Sequence, residues 1–78
     1  MTAVQAMAHA QAAVVRLAPW TNFEVSDLFT AADWEQMPAG IRKSLGRKFR
    51  EWANADKRLL KFVRRTADNH SHYVRLHP

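Results

Sequence analysis

The side chains able to do chemistry are mostly cations, and the densest group reads IRKSLGRKFREW at residues 41–52. On a 3.6-residue period this stretch separates into two faces. Ile41, Leu45, Phe49, Trp52 and Ala53 fall on one side, while Lys43, Arg47, Arg50 and Asn54 fall on the other. Arg47 and Arg50 can donate in pairs to guanine edges, Lys43 can meet a phosphate, and Asn54 can pair with an adenine. The plain alternative is a solvated helix face, with Glu51 spaced to pair with Arg47. Against it, a face that serves only solubility mixes both signs, and this one is nearly free of acids. Arg42 and Lys48 lie at the edges of the apolar stripe, where their stems can pack while their charges reach water.

A second set of cations follows. Arg64, Arg65 and Arg75 can clamp phosphates from a β-hairpin, or protect a sheet edge by charge. Lys57, Arg58 and Lys61 extend the basic surface between the two sets, with Asp56 partly neutralising it. His70 and His72 lie two apart, so a strand turns both to one side. With His77 and Asp68 as neighbours and no cysteine in the chain, they make a poor metal site. A turn built from turn-forming residues explains the DNHSH cluster better than acid–base catalysis. No nucleophile-and-base arrangement, phosphate-binding loop or dinucleotide fingerprint occurs. The expectation is therefore a protein without enzyme activity, cofactor or metal.

Composition narrows the partner. The chain has 78 residues, enough for one domain with a small core. The absence of cysteine suits a reducing cytoplasm, and no apolar run reaches the length of a membrane span. The first twenty residues are Ala-rich but lack a basic start, which favours a helix over a signal peptide. The net charge of +5 is uneven: residues 1–38 carry −3 and residues 39–78 carry +8. A basic half of this kind points to a polyanion.

These side chains need elements to position them. Residues 1–19 form an amphipathic helix ended by Pro19, with Val4, Met7, Ala8, Gln11, Val14, Val15 and Ala18 on its apolar stripe. His9 and Arg16 point to the opposite side. TNFEV alternates like a short strand over Phe23–Val25. A helix over Ser26–Met37 follows, capped by Ser26 and breaking near Thr30. There Thr30 and Asp33 have capping-box spacing, and Phe29 and Trp34 suit a hydrophobic staple. Pro38 and Gly40 separate it from the basic helix, Ala39–Asn54. Gly46 on that helix's flank would let another backbone come close, at ~1 kcal/mol of helix propensity. The last segment alternates as two strands around a tip at Thr66–Ser71. Trp34 and Trp52 fit core positions, whereas Trp20 stands at the join of the first helix and the sheet, or at a dimer interface.

Helix, short strand, helix, helix and β-hairpin is the order of an α+β winged helix-turn-helix. In addition, FEVSDLFTAADW, Arg42, LGRKF at 45–49 and Tyr73 resemble a family of small bacterial and phage proteins of unknown function. The resemblance covers roughly residues 20–76, leaves out the first helix, and implies a winged-helix-like fold.

The leading functional expectation is a cytoplasmic DNA-binding protein acting in transcription regulation or as a recruitment module. Its contacts would come from Lys43, Arg47, Arg50, Asn54, Lys57, Arg64, Arg65 and Arg75, with a homodimer forming through the first helix. The alternative is a phage or mobile-element inhibitor of a host defence complex, of the anti-CRISPR type, whose basic face covers an acidic protein surface. RNA is a third ligand that basic helices meet.

Overall fold

The computed structural model describes residues 1–55, 59–67 and 70–76. It is a small α+β domain of three α-helices and a three-stranded antiparallel sheet. The elements are α1 (Ala3–Arg16), β1 (Asn22–Glu24), a 3-10 turn (Val25–Leu28), α2 (Ala31–Gln36), α3 (Ala39–Ala55), β2 (Leu60–Arg65) and β3 (Ser71–Arg75). β3 is the central strand, with β1 and β2 on either side. Phe23 and Phe62 both stand opposite Tyr73. Three aromatic rings therefore line up across the buried face of the sheet.

α3 lies against that face. Its apolar stripe buries Leu45, Phe49 and Ala53 and half-buries Ile41 and Trp52, as the 3.6-residue spacing predicts. Phe49 meets Tyr73 edge-on at 5.0 Å between ring centroids and Phe23 at 6.3 Å. Such perpendicular arrangements set the positive edge of one ring against the negative face of another.

α1 packs on α3 and the 3-10 turn through a face that keeps only part of the expected stripe: Val14 is buried and Met7 packs at the core's edge. The buried residues are Ala6, Ala10 and Val14, while Val4 and Val15 are exposed. Small side chains win because they let the two helix backbones approach, and Val14 supplies the only large fully buried group of the three. His9, expected on the open side, is exposed, and it also meets the segment after β1. Its ring stacks on Phe29 at 4.8 Å and its Nε2 lies 3.0 Å from the Leu28 carbonyl. The helix begins with a capping box, in which Thr2 Oγ1 accepts from the Gln5 amide and Gln5 Oε1 accepts from the Thr2 amide.

The segment from Val25 to Met37 breaks where the sequence suggested. Ser26 is not a cap; it lies inside a 3-10 turn, and the acid that bonds locally is Asp27, whose Oδ2 accepts from the Glu24 amide at 2.8 Å. Thr30 caps α2 by accepting from the Asp33 amide, and the Phe29 and Trp34 rings meet at 5.8 Å as a staple. α3 then begins at Ala39. Gly46 receives no approaching backbone, because a β-carbon built there meets nothing within 4 Å. Trp20, placed by the sequence at a packed join or interface, is 63% exposed. It is third in a turn from Ala18 to Thr21, follows Pro19, and takes a φ of 69°. That is the geometry of a type II turn, which ordinarily has glycine at this place.

Candidate nucleic-acid interface

The exposed side of α3 and the hairpin face one another across an open cleft of about 590 Å³. Lys43, Arg47, Arg50 and Asn54 line it from α3, as the helical spacing requires. Arg65 and Ser71 line it from the hairpin, Glu24 and His70 stand at the rim, and Tyr73 forms part of the floor. Lys43, Arg47, Arg50, Asn54 and Arg65 are all exposed. None of them is in an ion pair among the described residues, including the Glu51–Arg47 pair that the spacing allowed.

A β-bulge decides which hairpin arginine enters the cleft. β2 pairs with β3 as Phe62 to Tyr73, then Arg64 to His72 and Arg65 to Ser71, so Val63 is an extra residue. Without it, period-2 alternation would place Arg64 on the Phe62 side and Arg65 on the other. The extra residue reverses that assignment. Arg65 joins the cleft, and Arg64 lies exposed on the opposite face beside His72.

Arg50 is held in place by a ring, its guanidinium carbon 4.3 Å from the Phe62 centroid. Arg42 belongs to the scaffold. Its Nε donates to the Trp34 carbonyl at 3.1 Å, its Nη2 donates to the same oxygen, and its guanidinium lies over the Trp34 ring. It therefore ties the end of α2 to α3. Two acids also line the cleft, Glu51 from α3 and Glu24 at the rim, and Glu24 is partnered: its Oε1 is 2.7 Å from His70 Nδ1 and 3.8 Å from His72 Nε2. Sequence reasoning missed this contact because Glu24 and His70 are far apart in the chain and meet only through the β1–β3 pairing. Burial raises the phenol of Tyr73 above its ordinary value of 10.0, partly opposed by Arg50, a hydrogen bond with Ser71, and Arg65.

Arg75 is a correction. Expected to clamp phosphate, it is buried, with its Nε donating to the Val14 carbonyl at 3.0 Å and its Nη1 to the Leu59 and Leu76 carbonyls. β3 alternation turns it to the same face as Tyr73, toward the core. A guanidinium there is tolerable only because carbonyl oxygens take its hydrogens. Lys57, also expected at the interface, lies outside the described residues, as do Arg58, Asp68 and Asn69. Among the described residues no helix is long and apolar enough to cross a membrane.

No curated protein and no solved structure matches the chain. A family model described as a domain of unknown function, DUF1413, matches residues 8–75. The match takes in the cleft residues and also most of α1, which the sequence resemblance had left out. The chain thus belongs to this family of small domains, DUF1413.

Proposed function

We propose that the protein is a winged-helix module that binds nucleic acid, with double-stranded DNA as its ligand. The observation that carries the reading is the cleft. Four exposed cations, Lys43, Arg47, Arg50 and Arg65, converge on it from two elements with no ion pair among the described residues. An exposed cation without an anion keeps its full attraction for a phosphate. The element order and the β1-β3-β2 sheet are compatible with a winged helix. In that arrangement α3 lies in the major groove and the hairpin acts as the wing. The phosphate strand between two grooves then runs through the cleft, flanked by Arg47 and Arg50 on one side and Arg65 on the other. Arg64, on the far face of the hairpin, contributes long-range attraction. Ser71 and Asn54 add neutral donors at either wall.

The test is a competition experiment at fixed salt with duplex DNA, single-stranded DNA and RNA, using the wild type and an Arg47→Glu/Arg50→Glu double variant. The wild type should prefer the duplex, and the double variant should lose binding to all three while its circular dichroism spectrum stays unchanged. Unaltered affinity in the double variant would remove α3 from the interface. A preference for single strands or RNA would replace duplex DNA as the ligand.

A further inference from the structure

The rim of the cleft carries imidazoles, the side chains that ordinarily change charge between about pH 5 and 8. There Glu24 Oε1 stands between His70 Nδ1 at 2.7 Å and His72 Nε2 at 3.8 Å. The sheet builds this triad. Glu24 is paired directly with His72 across β1 and β3. At the hairpin tip, Thr66 donates to the His70 carbonyl from its amide at 2.9 Å and its hydroxyl at 3.2 Å. The His70 backbone is thereby held where its ring lines the cleft, with the side chain 53% exposed to solvent.

Resting on the nucleic-acid reading of the cleft, we propose that backbone phosphates bind there together with protons taken up by His70 and His72, so that affinity rises as pH falls. A carboxylate only accepts hydrogen bonds, so a neutral His70 places its hydrogen on Nδ1, toward Glu24. Its Nε2 then carries a lone pair, which cannot bond a phosphate oxygen. One proton from solvent turns Nε2 into a charged donor. His72 takes up its proton beside the same carboxylate. The triad thus passes from a net negative to a net positive charge. In the first state it repels a phosphate strand from the rim, and in the second it attracts one.

The other charges among the described residues pull both ways. From β2, Arg64 stands opposite His72 and Arg65 opposite Ser71. From α3, Lys43, Arg47 and Arg50 line the cleft together with Glu51. From the 3-10 turn, Asp27 accepts from the Glu24 amide. Tyr73, beside Ser71, keeps its proton, because burial raises its phenol. The cations oppose a further positive charge at the rim, and the carboxylates favour it. A phosphate strand in the cleft supplies the anions that tip this balance. Ligand and protons therefore promote each other's binding, as linkage requires.

Fluorescence anisotropy of a short DNA duplex titrated with the full chain at fixed salt, at about pH 8 and about pH 5.5, tests this coupling. Arginine, lysine and the DNA phosphates keep their charge over that interval. Wild type should bind roughly tenfold more tightly at the lower pH, and its slope of log affinity against log salt should steepen by ~0.9 for each phosphate an imidazolium neutralises. His70→Gln/His72→Gln should match wild type at the higher pH and gain less than about twofold on acidification. His9→Gln, outside the cleft, should respond as wild type. His70→Lys fixes a charge at the rim, so it should exceed wild type at the higher pH and gain less from acid. Circular dichroism at both pH values checks that every variant is folded. A wild type with equal affinity at both pH values overturns the inference and leaves the cleft reading standing. So does a double variant that responds as wild type, or a His70→Lys variant that gains as much from acid. A protein that binds no duplex at either pH removes the nucleic-acid reading and the proton coupling with it.

Discussion

At the scale of single residues, the arginines of this chain divide by what their hydrogens meet. Arg75 donates to carbonyls of α1, of the residue before β2 and of the residue after β3, so it cross-links three segments. Arg75→Ala would leave those carbonyls without their donor and should cost roughly 3 kcal/mol in urea unfolding. Arg75→Lys should recover only part of this, because an ammonium cannot reproduce the planar fork. Tyr73 makes a second prediction, of opposite use to the cleft. Burial raises its phenol above 10.0, so above that pH the unfolded chain ionises first and holds fewer protons than the folded one. Stability should accordingly be unaffected by this group below pH 10 and fall as pH rises through the folded value. In a series of urea titrations, Tyr73→Phe should lose less stability than wild type over that alkaline range.

At the scale of elements, α3 is where the sequence spoke most clearly. Its period separates a core stripe from a cationic row, and the structure keeps both, because one face packs and the other meets water. Gly46 sits between them, with no neighbour within 4 Å of an added β-carbon and no positive φ. Gly46→Ala should therefore raise stability by about 1 kcal/mol, read as a higher midpoint in thermal unfolding. Elsewhere the sequence was less legible, for physical reasons. α1 is so rich in alanine that hydrophobicity barely distinguishes its faces; the packed face is set by how closely a small side chain lets α3 approach. In the hairpin, alternation alone cannot announce an extra residue, and a single bulge at Val63 exchanges the roles of Arg64 and Arg65. Arg75 reads as a surface charge because its carbonyl partners come from distant segments. The same non-local cause hides the Glu24–His70 contact.

At the scale of the whole molecule, charge is gathered at α3 and the hairpin: cations converge on the cleft, and α1 carries no acid, lysine or arginine before Arg16. The central claim concerns the cleft, and it makes a thermodynamic commitment. If the four cations around it each neutralise one phosphate, counterions are released on binding and affinity for duplex DNA must fall steeply with salt. The direct measurement is a titration of a short duplex by fluorescence anisotropy across a range of potassium chloride concentrations. We predict a slope of log affinity against log salt near ~−3.6 for the wild type, flattening by about two units in Arg47→Glu/Arg50→Glu if residual binding is measurable. A slope indistinguishable from zero in the wild type would contradict the account.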